Sequence, residues 1–282
     1  MRNKNVDQST VASFSDEWSR FDQSAMTEDE VCKIFDEYFS VFPWGNFSSD
    51  AEGFDMGCGS GRWARLMAPR AGLLHCIEPS DAINVARKNL VEYTNVQFHQ
   101  TSVDSSCLPL GSQDFGYSLG VLHHVPDTAA ALRSCVDLLK PDAPLLLYIY
   151  YAFDNRPWWF RGVWRVSDLA RRVIFRLPAG LKHIVTDLIS ALVYWPLAKI
   201  SFVAECSGLK VDSLPLSYYR HHSFYTMRTD ARDRFGTPLE QRFSQSEIKR
   251  MMADAGLVDI HFSDKAPFWC AVGVKTADRC CK

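Results

Sequence analysis

The chain has 282 residues, of which 47% are hydrophobic and 23% are charged, and its formal net charge at pH 7 is −2. This balance allows a substantial core and excludes the strongly basic class of general nucleic-acid-binding proteins. Nine cysteines without a C-x-x-C pair indicate buried, reduced thiols and a cytoplasmic protein. The first residues of the chain are polar, so we predict no secretory signal. The most apolar stretch, residues 184–202, is interrupted by Asp187, Pro196 and Lys199, so we predict no membrane span.

The first part of the chain predicts strands and helices in alternation. Residues 1–12 are expected to be disordered, and a capping box at residues 27–30 begins a helix that Pro43-Trp44-Gly45 ends. Strands are predicted at residues 54–56, 73–77, 96–101, 115–119 and 144–150, and helices at residues 62–68, 81–93 and 127–139. This order predicts a doubly wound α/β sheet, mostly parallel, with helices on both faces.

The alternation stops after Tyr151. Helices are predicted at residues 161–176 and 181–199, and an irregular segment is predicted at 218–242. A second capping box at residues 244–247 then begins a last helix, and two strands follow it at 258–263 and 269–275. We therefore predict seven strands with a helical lid inserted after the fifth, closing over the carboxyl ends of the strands. The predicted divisions are a helical N-terminal cover (1–45), a cofactor-binding core (46–152), a lid or substrate insertion (153–240) and a closing helix with two strands (241–282).

Polar and glycine-rich segments stand at the carboxyl ends of the first four strands. The first is Asp55-Met-Gly57-Cys58-Gly59-Ser-Gly61, a turn in which a ligand can approach the backbone and meet the free N–H groups of a helix start. Glu78-Pro79 follows the second strand, where a carboxylate can accept both ribose hydroxyls of an adenosine. Asp104-Ser105, after the third strand, can bind an adenine amino group and ring nitrogen, and Leu119-Gly120 with His123-His124 end the fourth.

The order of these motifs resembles the class I S-adenosylmethionine-dependent methyltransferase superfamily, over about residues 51–150. The resemblance implies that the Asp55–Gly61 loop, with Gly57, Cys58 and Gly59, surrounds the methionine end of S-adenosylmethionine. It implies that Glu78 with Pro79 holds the ribose, that Asp104 and Ser105 contact adenine, and that Leu119 and Gly120 lie near the methionine moiety. It implies a Rossmann-like methyltransferase fold and no metal.

A hydroxyl acceptor would gain from a general base, and histidines are the first candidates. The catalytic candidates are His124, His123 and His222, with His221 and Tyr219 as further possibilities. Only one of His123 and His124 is expected to face the cleft, and each histidine has packing or helix capping as its alternative. The aromatic segment around Trp18, and Trp44, are expected to cover the cofactor.

The insertion is rich in arginine and tryptophan between residues 155 and 182. This composition favours a bulky, anionic or lipid-linked substrate or peripheral contact with a membrane surface; the alternative is an amphipathic lid helix with a solvated arginine face. The expected reaction is methyl transfer to a small-molecule hydroxyl of a sugar, polyketide or phenolic compound, with no nucleic-acid partner. Alternatives are N- or C-methylation, a non-catalytic cofactor-binding protein and, more remotely, an NAD-dependent oxidoreductase. The sequence does not indicate an oligomeric state.

Overall fold

The computed structural model describes residues 5–46, 48–105 and 108–277. Its sheet has seven strands in the order β3-β2-β1-β4-β5-β7-β6. The strands are β1 (Glu52–Met56), β2 (Leu73–Ile77), β3 (Val96–His99), β4 (Phe115–Leu119), β5 (Pro144–Tyr148), β6 (Leu257–Phe262) and β7 (Ala271–Lys275). Neighbours pair in parallel except at β7, which is antiparallel to both β5 and β6. The predicted doubly wound, mostly parallel fold is confirmed.

Helices cover both faces of the sheet. They are α1 (Gln8–Arg20), α2 (Glu28–Tyr38), α3 (Ala64–Met67), α4 (Ala82–Asn89), α5 (Thr128–Leu138) and α10 (Gln245–Asp254). One hydrophobic cluster joins α2, α3 and α4 to the sheet, and a second joins α5 and α10 to it. All five residues of β4 are buried, as expected for a central strand covered on both sides.

The strand order reverses at β1, which pairs with β2 on one side and β4 on the other. The connections that leave β1 and β4 therefore run to opposite faces of the sheet, and a crevice opens between them at the carboxyl ends of the strands. The glycine-rich turn after β1 and the His123-His124 segment after β4 both lie at this crevice because of the topology.

Four helices form the insertion after β5. They are α6 (Trp158–Ile174), α7 (Ala179–Ile189), α8 (Trp195–Cys206) and α9 (Phe224–Gly236). A π-helical turn, Ser190–Tyr194, joins α7 to α8 in one continuous helix of 28 residues, Ala179–Cys206. A small core of Ile174, Tyr194, Ala198, Met227, Ala231 and Phe235 lies between α6, the α7–α8 helix and α9.

Two sequence predictions about local structure are wrong. Helix α1 begins at Gln8, inside the segment expected to be disordered, and α9 occupies much of the segment expected to be irregular. The capping box at Ser244 is present in full, whereas at α2 only the Thr27 half forms. The Glu30 carboxylate instead accepts hydrogen bonds from the Ser223 N–H and the Thr226 hydroxyl, both at 2.8 Å.

The cysteines are described only in part. Cys58, Cys76, Cys135 and Cys270 are buried free thiols, as predicted, but Cys32 is half-buried and Cys206 is exposed. Cys107, Cys280 and Cys281 lie outside the described residues.

Candidate active site

A cleft lies at the carboxyl ends of β1 to β4, beneath helix α1. The connections after these four strands form its floor, and α1 with the residues before it forms its roof. Its principal lining residues are Asn5, Thr10, Phe14, Trp18, Gly57, Cys58, Gly59, Ser60, Arg62, Trp63, Glu78, Pro79, Ser102, Val103, Leu119, Gly120, Val121 and His124. Many of the candidate site residues that were predicted from the sequence therefore lie together in this cleft.

The glycine turn after β1 has a backbone that ordinary residues avoid. Gly57 and Gly59 have φ values of 83° and 53°. A Cβ atom on Gly57 would lie 2.4 Å from the Val121 side chain, and one on Gly59 would lie 3.3 Å from the Trp18 indole. Gly61, in contrast, does not line the cleft; a Cβ atom there would meet Leu90 of α4 at 2.8 Å, so this residue serves close packing.

Glu78 ties the turn to the end of β2. The Gly59 N–H donates to its Oε2 at 3.2 Å, and the Ser80 N–H donates to its Oε1 at 2.9 Å. Burial raises the pKa of the Glu78 carboxyl, and the hydrogen bonds from Ser80 and Gly59 oppose that rise. Each carboxylate oxygen has a further lone pair, so the group can hold the turn and accept hydroxyl donors from the cleft as well.

Asp55 lies beneath the turn and is fully buried, outside the cleft lining. Its Oδ2 has no hydrogen-bond partner among the residues that the structure describes. Burial raises the pKa of Asp55 to about 8; the neighbouring Tyr117 hydroxyl opposes this rise and the Glu78 carboxylate adds to it. A buried acid without a full set of partners is costly, which favours a donor or positive charge from a ligand at this end of the cleft.

The predicted adenine residues are placed differently from expectation. Ser102 and Val103 line the cleft, but Asp104 and Ser105 do not. The Asp104 carboxylate lies at the rim, where it accepts the Asn5 N–H at 3.0 Å. Asn5 thereby connects the loop after β3 to the N-terminal segment, and Ser105 is exposed.

Helix α1 covers the cleft with Phe14 and Trp18, as the sequence led us to expect of this segment. It is anchored on α9 by polar contacts: Asp16 pairs with the fully buried Arg232 at 2.6 Å, and the Ser13 hydroxyl donates to the Gly236 carbonyl at 3.1 Å. Trp44 does not line the cleft; it packs on Phe35 of α2 and on Phe39 and Phe42, which follow that helix.

The insertion also departs from prediction. Within the described chain, residues 153–240 contribute nothing to the cleft lining; α9 and the segment after it lie behind α1 and His124. The direct cover of the cleft is the N-terminal helix, and the insertion supports that helix from outside.

His124 is the predicted base candidate that lines the cleft. Its Nδ1 lies 2.6 Å from the carbonyl oxygen of Leu239. Because a carbonyl only accepts, Nδ1 carries the proton and Nε2 presents a lone pair when the ring is neutral. Nε2 has no hydrogen-bond partner within the described ranges and lies 3.6 Å from Asp233 Oδ1. The ring is buried and its edge meets Phe14.

His123 lies outside the cleft lining. It is fully buried and stacks on Tyr150 with ring centroids 3.9 Å apart, and burial holds its pKa well below the usual value. Only His124 of the pair therefore lines the cleft, although the two rings pack on each other with centroids 3.9 Å apart in a short 3-10 turn.

The other candidates also lie away from the cleft. His222 packs on Tyr218 with Nδ1 3.4 Å from the Glu30 carboxylate. Burial lowers the pKa of His222 to about 4 against the opposing effect of Glu30. His221 pairs with Glu205 at 2.7 Å, and the Tyr219 hydroxyl donates to Asp230 at 2.8 Å.

A group of buried acids between α1 and α9 was missed from the sequence. Both carboxylate oxygens of Glu17 are without hydrogen-bond partners in the described part of the chain. Burial raises the pKa of Glu17 well above its usual value, and the charge of Asp233 adds to this. Burial likewise raises the pKa of Asp230 to about 6, opposed by the Tyr219 hydroxyl. Since Asp233 also lies beside His124, these acids extend the polar surroundings of the candidate base.

Residues 54–147 match a family model described as a methyltransferase domain. This central third of the chain is therefore similar to a methyltransferase domain, in line with the resemblance of its motifs to the class I S-adenosylmethionine-dependent methyltransferases. The residues present fit S-adenosylmethionine, the cofactor that the resemblance implies. The Gly57 and Gly59 backbone borders the cleft, the Asp55 Oδ2 beneath it has no hydrogen-bond partner among the described residues, and the Glu78 carboxylate at the end of β2 can accept hydroxyl donors.

Curated relatives resemble only part of the chain. A protein of Marinobacter nauticus named ubiquinone biosynthesis O-methyltransferase is 29% identical over 153 residues, which cover 50% of this chain and 61% of the relative. A protein of the same name from Xanthomonas axonopodis pv. citri is 34% identical over 96 residues, 33% of this chain and 40% of the relative. The matches therefore span about three-fifths or less of these relatives.

Solved structures support the fold. A possible exported protein of Bordetella parapertussis superposes with a TM-score of 0.53 and 11% identity, covering 93% of this chain and 80% of the other. A proposed methyltransferase of Bacillus halodurans gives a TM-score of 0.50 and 13% identity, with coverage of 80% and 72%.

Proposed function

We propose that this protein is an S-adenosylmethionine-dependent methyltransferase that methylates a hydroxyl oxygen of a small molecule. The observation that carries the proposal is His124, which lines the cleft and whose Nε2 has no hydrogen-bond partner among the described residues. When bound, S-adenosylmethionine supplies an electrophilic methyl group on a good leaving group, so the protein has mainly to orient the acceptor and remove its proton.

The residues of the chain have separate roles in this proposal. Gly57, Gly59 and Glu78 hold the cofactor. His124 takes the proton of the acceptor hydroxyl at Nε2, while the Leu239 carbonyl holds its Nδ1–H and so fixes the tautomer. Asp233, 3.6 Å from Nε2, stabilises the imidazolium that results.

Among the acceptors considered from the sequence, we propose a phenolic hydroxyl. A phenol has a pKa of about 10, within reach of an imidazole base, whereas an alkyl alcohol is a far weaker acid. Phe14, Trp18 and Trp63 give the cleft aromatic walls that suit a ring. The O-methyltransferase names of the relatives favour oxygen as the acceptor atom, and nothing comparable favours a sugar or polyketide.

The test uses methyl-labelled cofactor and three matched panels: phenols, the corresponding anilines and the corresponding alkyl alcohols. The proposal expects label transfer to the phenols alone and its loss in His124→Asn, with cofactor binding retained. Transfer to anilines at a similar rate would contradict the acceptor assignment. Cofactor binding without transfer to any panel would favour a non-catalytic binding protein.

A further inference from the structure

The insertion exposes an unusual amount of apolar surface on two helices. On α6 the exposed apolar residues Trp158, Val166, Leu169 and Val173 follow one another at helical spacing, and Trp158 is 80% exposed. The α7–α8 helix is apolar enough and long enough to cross a membrane by composition and length, yet only 22% of its most apolar window is buried. Leu181, Ile184, Leu188, Leu192 and Trp195 are exposed along it.

Both helices use their other face to pack on the protein. Ile174 of α6 and Ala198 of α8 lie in the small core with α9, so the exposed residues face away from that core. Isolated surface hydrophobics need no explanation, but runs of them on two helices that share one small core indicate a surface that another body covers.

The arginines of α6 indicate what covers it. Arg161, Arg165 and Arg172 of α6 and Arg176, two residues beyond its end, recur at intervals of four and seven residues, so they form one stripe beside the apolar face. All four are exposed. The sole acid of α6, Asp168, is buried and pairs with Arg171 at 2.8 Å and Arg172 at 3.0 Å, so most of the stripe keeps its positive charge.

This arrangement does not suit contact with a second copy of the chain. The acids of the α7–α8 helix are already paired: Asp187 with Arg20 at 2.6 Å and Arg228 at 2.9 Å, and Glu205 with Arg220 at 2.8 Å. In a twofold contact through these helices, the arginine stripe would therefore find no available carboxylate on them.

We propose that α6 and the α7–α8 helix form a lipid-docking surface that lies on an anionic membrane. Apolar residues enter the boundary between headgroups and acyl chains, tryptophans occupy the interface, and the arginine stripe contacts lipid phosphates. This inference rests on the exposed surface and is independent of the proposed function.

The polar contacts of the α7–α8 helix show that it lies on the membrane rather than crossing it. Asp187 is tied to α1 and α9, and His183 contacts Asp16 of α1 at 3.0 Å. Lys182 is buried against α9, with Nζ 3.4 Å from the Gly236 carbonyl. Crossing a bilayer would break these contacts and place charged groups in hydrocarbon.

The first experiment is sedimentation of the full chain with vesicles of phosphatidylcholine alone and of equal parts phosphatidylcholine and phosphatidylglycerol. The native chain should bind the mixed vesicles, and Arg161→Glu/Arg165→Glu should lower its partition at least roughly 25-fold, because each basic residue near an anionic surface contributes roughly fivefold. The matched control, Lys249→Glu/Arg250→Glu on α10, makes the same change in net charge on another exposed helix and should change partition little.

The apolar part of the surface is tested separately. Val166→Ser/Leu169→Ser should weaken binding to the mixed vesicles, whereas Val91→Ser/Leu110→Ser, at exposed apolar positions elsewhere, should not. Retained cofactor binding shows that each variant is folded, since none of these residues lines the cleft.

Three results would overturn the proposal. The first is failure of the native chain to bind mixed vesicles. The second is vesicle binding that the α6 variants leave unchanged. The third is light scattering that shows a dimer lost in Val166→Ser/Leu169→Ser without any vesicle binding, which would make this surface a contact between copies of the chain.

Discussion

The free energy of unfolding should fall less with rising pH when Asp55 is replaced by asparagine. The pKa of Asp55 is about 8 in the folded chain, mainly because of burial, against about 3.9 in an unfolded chain. Between about pH 5.5 and 7.5 the folded protein therefore keeps this proton and the unfolded chain has lost it. The contribution of Asp55 to stability is complete below the unfolded pKa and is lost as the pH rises toward 8.

The size of the effect follows from this difference. Each pH unit in the window removes about 1.36 kcal/mol from the free energy of unfolding, so the total from about pH 5.5 to 7.5 is about 2.5 kcal/mol after allowance for partial ionisation near the folded pKa. Asp55→Asn has no proton to lose. Whatever constant cost the amide has, the stability of the variant relative to the native chain should rise by this amount across the window.

Denaturant unfolding of both proteins at the two pH values, without cofactor, measures the difference directly. Asp50→Asn is the matched control: Asp50 is exposed, and a hydrogen bond from Ser48 lowers its pKa, so the same substitution there should show no pH-dependent difference. If native protein and Asp55→Asn kept a constant separation between the two pH values, Asp55 would not be held protonated by the fold.

The remaining predictions concern the turn, the ribose position and the base. Gly57→Ala should lower both the melting temperature and the cofactor affinity, because its new methyl group would collide with Val121. Gly120→Ala has open space at its Cβ position and should cost only the backbone strain, about 1 kcal/mol in thermal unfolding. Equal losses of stability in the two variants would refute the steric argument. Glu78→Gln should weaken cofactor binding roughly tenfold or more in calorimetry, because it replaces an acceptor oxygen by a donor; unchanged affinity would remove Glu78 from the site. His124→Asn should lower kcat by about 10²–10⁴ while cofactor affinity stays close to native; full activity would exclude it as the base.

The sheet could be predicted from the sequence because its strands are short segments with clear boundaries in the amino-acid pattern. The Leu145–Leu147 run of β5 is a continuous apolar segment, and β4 begins and ends with the apolar residues Phe115 and Leu119. The glycine turn and Glu78 could be placed for the same reason, since the topology of a doubly wound sheet brings strand ends together.

The two helices that the sequence missed bury many polar residues. Helix α1 buries Thr10, Ser13 and Glu17, and α9 buries Thr226, Thr229 and Arg232 beside its apolar core residues. Apolar periodicity is weak in such helices, because part of each buried face consists of ions and hydroxyls. The polar group at Glu17, Asp230 and Asp233 was missed with them. Asp104 was misplaced because its partner, the Asn5 backbone, becomes a neighbour only when the N-terminal segment folds over the cleft.

Calorimetric titration of the purified chain with S-adenosylmethionine and S-adenosylhomocysteine, with NAD as the control ligand, tests the central claim most directly. The account predicts saturable binding of the first two at one site, weakened in Glu78→Gln, and no binding of NAD. Binding of NAD, or no binding of either adenosyl ligand by folded protein, would contradict it.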